Sequence, residues 1–405
     1  MAIALAPLSV ASYGARYKRQ TFFCRSIILL LKMKIGIDIR MMGKQHGGIG
    51  RYVFELASRI PKLDFQNKYI FFYNQSRVLP EDLIKLKNLP NVALIAANYR
   101  HYSLKEQTLF LRLLNQQHLD LVHFPNFNAP IFYDKPFVVT IHDMVHHKIS
   151  GAKKSRFLHF LAYKKIIASA AKKAQKIITV SESSKTDIQK FLGIGREKIK
   201  VILEGSSLTG SVNDKTAREI QNKYLLTRPY FLFVGVWERK KNLINLALGF
   251  NQFLEKYKFD MDLVICGKPD AHYPEIKLKL MQIKHKDRLV IIEKPEDEDL
   301  AALYQGAFAF TSASLHEGFG LPGVEAMNFG LPLIVSNTPV FNEIYDNAAI
   351  YFNSQNPNDI ADKMNLLIND SLFYNKMGEA SLARSTGFSW DNAAKETLEL
   401  YNQVQ

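Results

Sequence analysis

Cysteine is nearly absent from this chain: Cys24 and Cys266 are the only two in 405 residues. A pair so far apart gives no disulfide framework and fits a reducing compartment. Eleven histidines occur, yet none stands with cysteine at zinc-site spacing. The neighbours His146 and His147 would point apart on a regular helix or strand, so no metal site is expected. Long apolar runs are missing as well. No window approaches the ~18 continuous apolar residues that read as a membrane span; Ser26 to Leu31 comes nearest and is far too short. Residues 1–32 contain no acid at all, only Arg16, Lys18, Arg19, Arg25 and Lys32 among charged side chains. Because MKIGIDIR from Met33 reads as a natural first strand, 1–32 is expected to be a disordered leader or a mis-assigned start. Internal repeats, low-complexity tracts and recognisable nucleic-acid modules are also lacking, and nucleic acid is not an expected partner.

What is present is an ordinary globular mixture, 47% hydrophobic and 22% charged, long enough for two domains. The net charge of +15 calls for acidic partners such as a diphosphate or an anionic lipid. Much of that charge lies in residues 148–190, where eleven basic side chains face only Glu182 and Asp187. Within it, SRFLHFLAYKKIIASAAKKA reads as a basic helix with Phe157, Phe160, Leu161 and Ile167 on its apolar side. That pattern predicts a loose electrostatic contact with an anionic membrane surface.

Short apolar runs mark buried strands at Lys34–Asp38, Lys68–Tyr73, Val92–Ala96, Asp120–Phe124, Phe137–Ile141, Lys176–Val180 and Lys198–Leu203. A second series follows at Tyr230–Gly235, Asp262–Gly267 and Leu289–Ile292. Helical patterns alternate with them, which is the mark of parallel α/β sheets. The chain therefore divides into a leader (1–32), an N-terminal Rossmann-like domain (33–205), a linker region (206–228), a C-terminal Rossmann-like domain (229–385) and a terminal helix (386–405). Ser183 or Ser184 caps the helix after the sixth strand, and Ser389 caps the last one. After the first strand, Gly47, Gly48 and Gly50 form a turn where a ligand can approach backbone, although the dinucleotide pattern GxGxxG is not met. His142 and Asp143 end the fifth strand, the edge at which open α/β sheets collect ligands. Arg239, Lys240 and Lys241 stand where the first strand of the second series passes into a helix, suited to a diphosphate.

The most informative stretch is SLHEGFGLPGVEAMNFGLPLIVSN, from Ser314 to Asn337. A glycine-rich loop enters a helix at about Pro322, and that helix stops before Gly330 and Pro332. Helix starts leave backbone N–H groups free for a phosphate. Glu317 lies in the loop and Glu325, eight positions on, lies in the helix, where its carboxylate can accept from a diol. Spacing alone is equally consistent with a corner whose glutamates face water.

As a whole string, it resembles the signature of the retaining GT-B glycosyltransferases of family 4. GGIGRY, HFPN, the HD pair, VSESSKTDI and VGVWERKKNL occur in that family's order from Met33 onward. The resemblance implies a GT-B fold, two Rossmann-like domains facing across a cleft, with the last helix crossing back. It implies transfer of a sugar from a nucleotide sugar with retention of configuration and without a metal or other cofactor. Carried over by position, Gly48, Ile49 and Gly50 would meet the diphosphate or donor, and His142 the donor sugar. Lys241, with Arg239 or Lys240, would hold the diphosphate beside Asn242. Gly318, Phe319, Gly320 and Leu321 would line the donor site, with Glu317 at the sugar and Glu325 at the ribose. The mannosyltransferase-like branch implies GDP-mannose before a UDP-hexose, and a glycan or lipid-linked acceptor. A cytoplasmic enzyme, peripheral at the inner membrane face, is the corresponding expectation. A sugar-nucleotide epimerase of the same architecture and a silent sugar-nucleotide binder are the alternatives.

Overall fold

The computed structural model describes residues 33–43, 46–148, 155–208, 214–293 and 295–404. The expected leader, 1–32, lies outside them. Thirteen strands form among these residues, every one paired in parallel, in two sheets. Strands β1 (Lys34–Asp38), β2 (Lys68–Tyr73), β3 (Val92–Ala96), β4 (Leu121–Phe124), β5 (Phe137–Thr140), β6 (Lys176–Thr179) and β7 (Ile199–Val201) make the first. Its order is β3-β2-β1-β4-β5-β6-β7. The second comprises β8 (Tyr230–Val234), β9 (Asp262–Cys266), β10 (Leu289–Ile292), β11 (Ala309–Ser312), β12 (Leu333–Ser336) and β13 (Ala349–Phe352), in the order β10-β9-β8-β11-β12-β13. In each sheet the order reverses once, between β1 and β4 and between β8 and β11. Those reversals open crevices at the carboxyl ends of the strands.

The strands form where apolar runs are continuous because both faces of a parallel sheet are covered. Residues Phe137, Val138, Val139 and Thr140 are all buried, as are Leu263, Val264, Ile265 and Cys266. One strand of the second sheet, β13, was not anticipated. Helices Pro357–Asn369 and Ser371–Ser385 were missed too.

Four local expectations need correction. Gly48, Ile49 and Gly50 are the first turn of helix Gly47–Leu63, not a loop. Gly50 is there because a Cβ would stand 2.2 Å from the Gly43 carbonyl oxygen, whereas a Cβ on Gly48 would meet nothing within 4 Å. Ser181, not Ser183 or Ser184, caps helix Glu182–Leu192, accepting from the Ser184 N–H. Helix Asp214–Lys223 occupies the supposed linker and belongs with the second domain, since Lys223 and Tyr224 both donate to Asp299 at 2.6 Å. Finally, helix Ser155–Lys173 buries Tyr163, Ile166, Ile167, Ala170 and Ala171, while Leu161 of the expected apolar side is exposed.

The last helix, Trp390–Gln403, packs on the N-terminal domain. Ser389 caps it, as its sequence suggests. Trp390 packs against Tyr52, Asp391 pairs with Arg59 at 2.8 Å, and the Tyr401 hydroxyl meets His123 Nδ1 at 2.6 Å. His123 is fully buried, and that burial drives its pKa down to about 3, so it stays neutral. Among the described residues, no helix is long and apolar enough to cross a membrane.

Candidate active site

The two sheets turn their carboxyl ends toward one another, and several of the residues singled out from sequence gather there. On the N-terminal side stand the first turn of helix Gly47–Leu63 and the His142–Asp143 pair after β5. Facing them are Lys240 and Lys241 after β8 and the Glu317–Glu325 segment after β11. The domains touch closely at Gly318. Its carbonyl accepts from Ser181 Oγ at 2.7 Å, and a Cβ on it would lie 2.5 Å from the His142 carbonyl oxygen. Glu343 reinforces this contact, accepting from the backbone N–H groups of Glu182 and Ser183 at 2.6 and 2.8 Å. A carboxylate on that helix start also suits the dipole.

Each acid of the signature is held by a cation. Lys241 Nζ lies 2.6 Å from Glu317 Oε1, both side chains being largely buried. Burial would raise the Glu317 pKa, but Lys241 and then Lys240 outweigh it and hold the carboxyl below its usual value. Lys240 stands within 4.0 Å of Asp143 across the cleft and 3.5 Å from Glu238. Despite burial, these acids and Glu317 raise its pKa, so it remains a cation. Arg239 is not brought in: it turns outward, is 65% exposed and pairs with Glu275 at 2.8 Å. Asn242 adopts a left-handed backbone (φ 51°) and donates to the Ser354 carbonyl, leaving its side chain in a structural role.

Glu325 is 4% exposed and has both oxygens occupied. Arg51, from the N-terminal domain, reaches Oε1 at 2.8 Å, and the Tyr304 hydroxyl donates to Oε2 at 2.9 Å. Burial keeps the Glu325 pKa raised even against Arg51. The loop between the acids is shaped by Tyr345, whose hydroxyl donates to the Gly320 carbonyl at 2.7 Å. A Cβ on Gly320 or Gly323 would come within 2.3 Å of that hydroxyl, and Gly320 has φ +98°. Helix Leu321–Asn328 then starts with Gly320 as its N-cap and no side-chain cap. Phe319 and Leu321 are buried in the core, Phe319 edge-on to Phe388.

His142 is brought to the cleft, but its ring is engaged by the protein. Nε2 lies 3.0 Å from the Pro125 carbonyl oxygen, Nδ1 lies 3.4 Å from Glu204, and Tyr52 packs edge-on at 4.7 Å. Sequence reasoning missed Arg51, Glu204, Tyr304 and Tyr345. Arg51 follows the glycine turn directly and could have been flagged by position. The other three carry no local signal, because their partners lie on elements far away in sequence. Among the described residues, no group of three or more His, Cys, Asp or Glu side chains could hold a metal ion.

The arrangement is suited to a ligand with a diphosphate and a diol: paired cations and an uncapped helix start for one, a buried carboxylate for the other. Comparison with known proteins points the same way. The family model for glycosyltransferase family 4 matches residues 46–208, and that for glycosyl transferases group 1 matches residues 215–384. The O-antigen chain mannosyltransferase RfbU of Salmonella typhimurium is 28% identical over 49% of this chain and 52% of its own. The chain thus spans only about half of that relative's length. O-antigen chain mannosyltransferase B of Escherichia coli is 25% identical over 87% of this chain and 95% of its own. A GDP-mannose:cellobiosyl-diphosphopolyprenol alpha-mannosyltransferase of Xanthomonas oryzae pv. oryzae is 24% identical over 70% of this chain and 74% of its own. Among solved structures, sucrose-phosphate synthase from Thermosynechococcus elongatus superposes with a TM-score of 0.74 at 18% identity, covering 92% of this chain and 99% of that one. That likeness speaks to the fold alone.

Proposed function

Since the chain belongs to the GT-B glycosyltransferases of family 4 (group 1), with a mannosyltransferase-like set of relatives, we propose that it is a retaining, metal-independent hexosyltransferase. Its first-choice donor is GDP-mannose, with a UDP-hexose second, and its acceptor is a glycan or lipid-linked glycan. The observation that carries this reading is the Lys241–Glu317 pair, 2.6 Å apart, at the switch point of the second sheet.

In the reaction, the bond from the anomeric carbon to the diphosphate oxygen breaks on the face where the acceptor oxygen attacks. The acceptor proton passes to the leaving diphosphate oxygen. Charge grows on the diphosphate while the sugar becomes oxocarbenium-like, so the demand on the protein is electrostatic. Lys241 and Lys240 take the diphosphate with the start of helix Leu321–Asn328. Glu317 orients the sugar, and Glu325 accepts from the ribose hydroxyls. No side chain is assigned as a nucleophile. His142 helps shape the sugar pocket from the N-terminal side, its ring fixed by Pro125 and Glu204. The surplus of lysine over acid in residues 148–190 supports a loose contact with an anionic membrane on the acceptor side.

A donor screen by thermal shift tests the proposal. A ligand at 100 times its dissociation constant stabilises by ~2.7 kcal/mol, and GDP-mannose should give the largest shift. A panel in which no nucleotide sugar or nucleoside diphosphate raises the melting temperature would reject the donor site.

A further inference from the structure

We propose that Arg51 gates the donor site: it holds the Glu325 carboxylate while no nucleotide is bound and must release it for the ribose to enter. The inference rests on the assignment of Glu325 to the ribose. Glu325 is almost sealed, and each of its oxygens already has a protein partner. Of those two partners only one is placed to leave. Tyr304 is fully buried and stacks on Phe329 at 5.6 Å with an interplanar angle of 14°, its hydroxyl also lying 3.1 Å from the Pro322 carbonyl oxygen. Arg51 is 22% exposed and extends from a helix turn that contains three glycines.

The guanidinium also bridges the domains. Nη1 reaches Glu325 on helix Leu321–Asn328, and Nη2 lies 3.5 Å from Asp297 at the start of helix Asp297–Gly306. Both acids belong to the C-terminal domain, whereas Arg51 belongs to the N-terminal one. A nucleotide whose ribose donates to Glu325 therefore competes with an intramolecular cation. Asp297, 61% exposed, gives the displaced guanidinium a nearby place to rest. Apparent affinity is then reduced by the fraction of time the gate is open.

Isothermal titration of GDP and of UDP at pH 8.5, where a Glu325 freed of its cation is favoured as carboxylate, tests the gate. Arg51→Ala should bind the preferred nucleoside diphosphate about three- to tenfold more tightly than the wild type. Arg51→Lys, which keeps the charge but not the fork, should fall between them. A purely structural ion pair would lower the melting temperature of these variants without tightening binding. Unchanged or weaker binding by both variants overturns the proposal, and weaker binding would make Arg51 a direct ligand contact. Glu325→Ala in the same titrations keeps the two ideas apart. Wild-type affinity in Glu325→Ala rejects the ribose assignment itself. Weakened affinity there, with no gain in Arg51→Ala, rejects the gate alone. In the double variant, the gain from Arg51→Ala should vanish.

Discussion

Lys241 is the residue on which the proposed chemistry leans most. If it stabilises the leaving diphosphate, Lys241→Ala should lower turnover about 10²–10³-fold, the usual loss for one donor to a developing anion. Lys240→Ala should also reduce the rate, because Lys240 faces the cleft and Asp143. Arg239→Ala should stay within about twofold of wild type, since that guanidinium points away toward Glu275. Initial rates with saturating donor decide among the three. Glu317 yields a pH prediction with a definite sign. Its pKa is depressed in the folded protein, so its stabilising contribution is complete above its ordinary value of 4.5 and is lost as pH falls below it. Glu317→Gln should therefore be less stable at neutral pH and lose less stability on acidification below pH 4.5, as read by urea unfolding over a pH series. Glu317 and Glu325 stand out in one distinctive string, and Lys241 in another. Which cation neighbours which acid was not legible, because the Lys241–Glu317 and Arg51–Glu325 pairs join residues 76 and 274 positions apart.

At the scale of elements, strands were easier to read than turns. A parallel strand buried on both faces leaves a continuous apolar run, so β1 and β2 appear at the very residues the pattern marks, and the partly buried edge strands β3 and β10 keep their apolar runs as well. Glycines are harder, because the reason for one often lies in another segment. Gly50 looks like loop flexibility, yet it sits in a helix against the Gly43 carbonyl. Gly50→Ala should consequently lower the melting temperature by several degrees, while Gly48→Ala, with open space around its Cβ, should change it little. A pair of thermal melts checks the contrast. The cap at Ser181 carries a similar lesson: its hydroxyl serves both its own helix and the Gly318 carbonyl of the other domain. Ser181→Ala should destabilise by about 1 kcal/mol through the cap alone, measured by denaturant titration.

At the scale of the molecule, two sheets that share a 3-2-1-4-5-6 strand order, the first with one strand more, set their switch points face to face, and the last helix ties the second domain to the first. Alternation of strands and helices made the two-domain architecture readable. The closeness of the domains was not, since it depends on Arg51, Gly318 and Glu343 meeting residues from the opposite half. The proposed function requires this cleft to cleave a nucleotide sugar with retention, using charge supplied by the protein. Slow hydrolysis of GDP-mannose in the absence of acceptor, followed by proton NMR of the anomeric signals with chelator present, tests it without knowing the acceptor. Release of α-mannose first, at a rate unchanged by the chelator, is the expected result. First release of β-mannose, or cleavage that stops in chelator and returns with magnesium, would contradict it.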